Sequence, residues 1–205
     1  FGSGVLVHLF GLVNVLHNYD DIAQQPRGYG TGVTSGRWLL SLMGDFWDAI
    51  GGNFNLPLLN GLLFLMLIAV SAGLLVSVFR IRNRVSAALM GVLFAVFPSA
   101  FSTLVFRYTA VYYGFAILLS VAAVWLFQNC SWGFLLSALC IAGSLGIYQA
   151  YVPITIGMFV LMLLQESLSD GADFRKLLRR SLFCCGALLL GLLLYYGFLK
   201  LTLGL

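Results

Sequence analysis

The chain has 205 residues, of which 61% are hydrophobic and only 9% are charged, and its mean hydropathy is +1.00. Because a soluble domain carries about 25% charged residues, this composition excludes a soluble globular protein and predicts an all-α membrane protein. The net charge of +4 requires no nucleic-acid partner, since the basic residues are explained as signals for orientation in the membrane.

Seven apolar segments are predicted to cross the membrane as helices, since about 20 apolar residues span a bilayer. They cover residues 1–16, 56–79, 85–104, 109–127, 132–148, 152–164 and 182–203. The predicted fold is therefore a polytopic helical bundle. Because the chain begins and ends inside apolar segments, we expect residues 1–205 to form one transmembrane domain, the N-terminal part of a longer protein.

Two adjacent acids follow the first predicted span, in the stretch "HNYDD". Asp20 and Asp21 are unusual because the whole chain has only seven Asp and Glu residues. They open the one long connection, residues 17–55. Two neighbouring carboxylates at an apolar boundary suit a general base that deprotonates a hydroxyl, or a ligand pair for a divalent metal such as Mg²⁺ or Mn²⁺. The alternative is a pair that only ends the span and starts a turn.

The second half of this loop predicts an amphipathic helix, with Ser35 as its N-cap and Gly51 and Gly52 as its stop. One stripe at helical spacing is polar or small and consists of Arg37, Ser41, Gly44, Asp45 and Asp48. A helix of this kind lies in the membrane interface with its apolar face down.

Arg37 is predicted in the first turn of that helix, where a cation opposes the helix dipole. Its guanidinium and the free N–H groups of the turn would together bind a phosphate. The alternatives are contact with lipid headgroups or pairing with Asp20 or Asp21.

Two basic stretches predict the orientation of the bundle. Arg80, Arg82 and Arg84 follow the second predicted span, and Arg175, Lys176, Arg179 and Arg180 precede the seventh. If all seven spans are real, both stretches lie on one side, which the positive-inside rule makes cytoplasmic. The loop 17–55 then lies on the outer side.

The turn between the fifth and sixth predicted spans is expected to lie below the membrane surface. Two full crossings need about 40 residues, and the segment 132–164 is shorter than that. Tyr148, Gln149 and Tyr151 would then line a cavity and contact a sugar. The alternative is an aromatic-belt turn with Gln149 among headgroups. Arg107, the other outer cation near a span, would either hold a phosphate or snorkel to headgroups.

A first span followed by an outer loop with an acidic pair, an in-plane helix and an arginine resembles the GT-C membrane glycosyltransferases. More narrowly, "NYDDIAQQPRGYGTGVTSGRWLLSLMGD" and "SLGIYQAYVPITIGMF" are similar to segments of the bacterial and phage glucosyltransferase II family, which is associated with O-antigen modification and serotype conversion. The motifs that carry the resemblance are Asp20 and Asp21, the "GRW" of residues 36–38 and the "YQA" of residues 148–150. The resemblance covers roughly residues 10–165.

This resemblance implies a periplasmic reaction at the bacterial inner membrane. A polyprenyl-phosphate-linked sugar, undecaprenyl-phosphate glucose, would be the donor, and a hydroxyl of a lipid-linked polysaccharide the acceptor. Asp20 or Asp21 would be the base, and Arg37, with Arg107 as a second candidate, the cation near the phosphate. The two aspartates could also share a divalent metal, though parts of the superfamily work without one. The competing hypothesis is a flippase or transporter for a lipid-linked sugar, which predicts ionisable residues at the middle of the spans.

Overall fold

The computed structural model describes residues 1–14, 19–23, 32–49, 56–169 and 173–204, without the side chains of Asp21 and Ala23. Within these ranges all regular elements are helices, which confirms the all-α prediction. The α-helices are α1 (Gly2–Val13), α2 (Tyr19–Ala23), α3 (Trp38–Ala49), α4 (Pro57–Val78), α5 (Arg84–Val96), α6 (Pro98–Val105), α7 (Arg107–Asn129), α8 (Gly133–Ile147), α9 (Val152–Ser167) and α10 (Phe174–Leu203). Two 3₁₀ turns, Val33–Ser35 and Gln149–Tyr151, precede α3 and α9.

Five stretches of the described chain are long and apolar enough to cross a membrane. They are Pro57–Val78, Arg84–Val105, Arg107–Asn129, Gln149–Ser167 and Phe174–Leu203. Two shorter apolar helices, α1 and α8, occupy the positions of the first and fifth predicted spans. A membrane protein is therefore supported, while a count of seven spans stays a prediction.

The third predicted span is not one continuous helix, because α5 ends at Val96 and α6 begins at Pro98. Phe97 between them has φ −59° and ψ 142°, since a proline disfavours the helical conformation of the residue before it. The carbonyl of Ala95 at this break lies 3.0 Å from Nε2 of the buried His8 on α1. Helix α1 thus covers the break. Its histidine gives the Ala95 carbonyl a hydrogen-bond partner that the interrupted helix does not supply.

Helix α7 lies at the centre of the bundle and packs on α4, α8 and α9. Hydroxyl groups join the middle of α7 to its neighbours beside the second 3₁₀ turn. Ser120 Oγ is 2.8 Å from Ser144 Oγ and donates to the Tyr151 carbonyl at 3.1 Å. Thr155 on α9 donates to the Ser120 carbonyl at 2.9 Å. Such polar contacts between buried helices hold the turn against the bundle.

The two basic stretches meet at one end of the bundle, as predicted. Arg80 after α4 and Arg180 near the start of α10 line one cavity, together with Gln128 near the end of α7. Tyr108, at the start of α7, lines a different cavity. Tyr108 and Gln128 stand near the two ends of α7, and a helix rises about 1.5 Å per residue. The two cavities therefore lie at opposite ends of the bundle.

Candidate active site

A polar cavity of about 590 Å³ lies at the end of the bundle where α7 begins. Four of the residues predicted from the sequence meet there: Asp20, Arg37, Tyr148 and Tyr151. The other lining residues are Ser99, Ser102, Thr103, Phe106, Tyr108, Tyr113 and Ala150. Residues from the first long loop, the proline-broken segment and the turn before α9 therefore build one chamber.

Arg37 projects into this chamber from the residue before α3. Its guanidinium carbon lies 4.5 Å from the centroid of the Tyr148 ring, a cation–π distance. Its Nη1 donates to the Tyr113 hydroxyl at 3.4 Å. The side chain is half-buried. Its contacts with Tyr113 and Tyr148 direct its charge at the cavity.

The start of α3 differs from the prediction. Ser35 is not its N-cap, because this residue belongs to the 3₁₀ turn and its hydroxyl donates to the Gly32 carbonyl at 2.8 Å. Arg37 precedes the first turn of the helix, and its carbonyl accepts from the Ser41 amide at 3.0 Å. The predicted stop at Gly51 and Gly52 lies outside the described residues.

Gly36 explains how the "GRW" and "YQA" motifs fit together. It has φ +78°, and a Cβ atom there would collide with the Tyr195 hydroxyl and lie 2.9 Å from Gln149 Nε2. That amide donates to the Ser35 carbonyl at 3.3 Å and to the Tyr195 hydroxyl at 3.1 Å. Gln149 therefore holds the turn before Arg37 and is not among the residues that line the chamber; its contact with a sugar stays a prediction.

Gly36→Ala is expected to lower the free energy of unfolding by about 1–3 kcal/mol, because it adds left-handed backbone strain and a clash with Tyr195. Thermal unfolding in detergent measures the loss. Gly197→Ala on α10 is the matched control, since its Cβ would meet no atom within 4 Å. Equal midpoints for the two variants would contradict this account of the turn.

Helix α3 packs on the bundle through its first turns, and the placement of the rest of its apolar face in the membrane interface stays a prediction. Trp38 is buried, stacks on Phe198 at 4.9 Å between centroids, and occupies the space of a Cβ at Gly146. Leu40 is fully buried beside Tyr113. Of the predicted polar stripe, Arg37 lines the chamber, Gly44 is buried and Asp45 is exposed. Leu42, Phe46 and Trp47 farther along remain exposed.

Three tyrosines form one wall of the chamber. The rings of Tyr113 and Tyr148 stack at 4.9 Å, and Tyr151 lies 5.9 Å and 5.6 Å from them. The Tyr151 hydroxyl is 3.2 Å from Thr103 Oγ1.

Sequence reasoning missed Tyr113 and Thr103. The available signal was the spacing of Ser99, Ser102 and Thr103, a polar stripe at helical period inside an apolar segment.

Asp20 lies on α2, is exposed, and lines the chamber. The side chain of Asp21 lies outside the described residues, as does Arg27 of the same loop. Within the described part of the chain, no three His, Cys, Asp or Glu side chains come together in a group that could hold a metal ion. The general-base role of either aspartate and a metal shared between them both stay predictions.

Arg107 is not among the residues that line the chamber. Its side chain is only 6% exposed, so it is buried rather than extended to headgroups. Nη1 donates to the Asn14 carbonyl at 3.1 Å, just after the end of α1, where a cation is favourable for the helix dipole. Asn60 on α4 donates to the Arg107 carbonyl at 3.1 Å. The geometry thus gives Arg107 a structural role, and phosphate binding by it stays a prediction.

A second, apolar cavity of about 490 Å³ adjoins the polar chamber. Both cavities are lined by Ser99, Thr103, Ala150 and Tyr151. The remaining lining residues of the apolar cavity are Ile68, Met90, Leu93, Phe94, Phe97, Ala100, Ile117 and Ile154. The two cavities are therefore neighbours, one polar around Arg37 and the other apolar between α4, α5, α7 and α9.

Comparison with known proteins identifies one family. The model of the family described as Glucosyl transferase GtrII matches residues 9–205. No curated protein and no solved structure matches the chain.

Proposed function

Because the chain belongs to the GtrII family of glucosyl transferases, we propose that it moves a glucosyl residue from a polyprenyl-phosphate donor to a hydroxyl of a lipid-linked polysaccharide such as O-antigen. In this reaction the acceptor oxygen bonds to the anomeric carbon of glucose. The bond between that carbon and the phosphate oxygen breaks, and the lipid phosphate leaves with the electron pair. The hydroxyl proton passes to a base.

The observation that carries this proposal is the adjacency of the two cavities, which share four lining residues. A polyprenyl-phosphate sugar has an anionic, polar head and a long apolar chain. The chamber around Arg37 suits the phosphate, because a guanidinium forms charge-assisted hydrogen bonds with phosphate oxygens. The adjoining apolar cavity suits the first isoprene units of the chain, and their burial there is favourable.

Within this proposal, Asp20 is the base and Arg37 stabilises the charge that develops on the leaving phosphate. The two groups line the same chamber, so an acceptor hydroxyl and a donor phosphate can meet between them. Tyr148 and Tyr151 offer aromatic surface to the sugar. Asp21 is the alternative candidate for the base, because it is adjacent to Asp20 in the sequence.

The orientation follows from the basic end of the bundle. If that end faces the cytoplasm, the chamber opens at the periplasmic face of the bacterial inner membrane, in line with a GT-C-like arrangement. The direct test is reconstitution of the full-length protein in proteoliposomes with labelled undecaprenyl-phosphate glucose and an acceptor glycolipid. Transfer of label supports the proposal, and its absence with a folded protein that binds the labelled donor contradicts it.

Filling the apolar cavity is expected to separate long-chain from short-chain donors. Ala100→Phe should lower transfer from undecaprenyl-phosphate glucose by about 10-fold or more, equivalent to at least 1.4 kcal/mol of lost chain binding. It should spare a donor whose phosphate carries only a methyl group, because such a donor has no isoprene unit to place in the cavity. Ala88→Phe, at an exposed position of α5, is the control. Equal losses with both donors would contradict the assignment of the chain to this cavity.

A further inference from the structure

A second polar cavity, of about 310 Å³, lies at the basic end of the bundle, opposite the candidate active site. The glucosyl transfer proposed above gives it no role. Its polar lining comes from the ends of α7 and α9, the residues that follow α4 and α9, and the first part of α10. These polar residues are Arg80, Gln128, Gln165, Glu166, Ser169 and Arg180.

The charges in this cavity leave one cation available. Arg180 Nη1 lies 3.1 Å from Glu166 Oε2, so these two charges balance each other. Among the residues that the structure describes, Arg80 forms no ion pair. The cavity therefore carries a net charge of about +1, with the amides of Gln128 and Gln165 as neutral hydrogen-bond donors. This combination suits a ligand with one negative charge and several acceptor oxygens.

The backbone of Arg80 gives a second, independent observation. Arg80 is the only non-glycine residue with positive φ in the described chain, at +52°. It follows the end of α4 in a Schellman motif, with the Ile81 amide bonded to the Val76 carbonyl at 3.0 Å and the Arg80 amide to the Ser77 carbonyl at 3.1 Å. Glycine is the usual residue at this position because it adopts the left-handed conformation without strain. Arg80 therefore bears a backbone strain that glycine would avoid, and such strained residues cluster at binding and catalytic sites.

We propose that this cavity binds a phosphate group at the basic face of the membrane. The Arg80 guanidinium holds two of its oxygens, and the Arg180–Glu166 pair and the glutamine amides close the site around it. The same chemistry is offered by the phosphodiester of an anionic phospholipid and by free phosphate. The site is separate from the chamber of Asp20 and Arg37, so it stands or falls independently of the proposed function.

The test uses the full-length protein and two probes. Native mass spectrometry after exchange into phosphatidylglycerol or phosphatidylcholine nanodiscs reports retained lipid, and thermal shift in lipid-free detergent reports binding of inorganic phosphate. Arg80→Gly removes the side chain and keeps the turn. Arg175→Gln is the control, because it removes an arginine at the same end that does not line the cavity.

We expect Arg80→Gly to reduce probe binding by 10-fold or more while the Arg175→Gln control binds as the unsubstituted protein does. Without phosphate, Arg80→Gly should unfold at the same or a higher temperature, which shows that lost binding is not lost folding. Retention of phosphatidylglycerol alone assigns the site to a lipid headgroup, and a shift with inorganic phosphate assigns it to a free anion. Binding of neither probe, or equal losses in Arg80→Gly and Arg175→Gln, would overturn the proposal.

Discussion

Replacing Asp20 by asparagine is expected to lower the rate of glucosyl transfer by about 10²–10⁴-fold, the usual contribution of a general base. Asparagine keeps the size of the side chain and cannot accept the hydroxyl proton. Binding of the donor should change little, since the carboxylate acts on the acceptor. Single-turnover transfer at saturating donor, together with a separate measurement of donor affinity, distinguishes these two effects.

Two further variants make the Asp20 result specific. Asp45→Asn removes an exposed acid on α3 that does not line the chamber, and it should transfer at the rate of the unsubstituted protein. Asp21→Asn tests the neighbouring acid. If Asp21→Asn abolishes transfer and Asp20→Asn does not, the base is Asp21; if the double variant keeps full activity, neither aspartate is the base.

Arg37→Ala is expected to weaken binding of the polyprenyl-phosphate donor by about 10- to 150-fold, the loss of a charge-assisted hydrogen bond worth about 1.5–3 kcal/mol. The donor affinity of Arg37→Lys should lie between those of Arg37→Ala and the unsubstituted protein, because an ammonium keeps the charge and loses the planar fork of the guanidinium. Lys200→Ala removes an exposed cation near the end of α10, outside the chamber, and should bind donor normally.

The Arg37 variants also need a check on folding, because this side chain contacts Tyr113 and Tyr148. The unfolding midpoints of Arg37→Ala and Arg37→Lys should lie close to that of the unsubstituted protein. The loss in donor affinity is then not caused by a loss of folding. Unchanged donor affinity in a folded Arg37→Ala variant would remove this residue from the phosphate site.

Much of the architecture could be predicted from the sequence because hydropathy and charge report directly on the membrane. The helical bundle and the meeting of Arg80 and Arg180 at one end both follow from such patterns. The break between α5 and α6 could have been found at Pro98, but an apolar run of the right length concealed it. Hydropathy averages over a window, so it does not report a single interrupted turn.

The candidate site was predictable only in part. Asp20, Arg37, Tyr148 and Tyr151 meet in one chamber as their residue types suggested. The contact of Gln149 and Tyr195 around the turn at Gly36 could not be predicted. Periodicity tells which side of its own helix a residue occupies, but not which distant helix faces it.

The most direct measurement is an experimental structure of the full-length protein with undecaprenyl-phosphate glucose bound. The account predicts that a phosphate oxygen lies within hydrogen-bonding distance of the Arg37 guanidinium, about 2.7–2.9 Å. The isoprene chain should continue into the apolar cavity beside Ala100 and Ile154. A donor phosphate bound away from Arg37, or an isoprene chain outside that cavity, would contradict it.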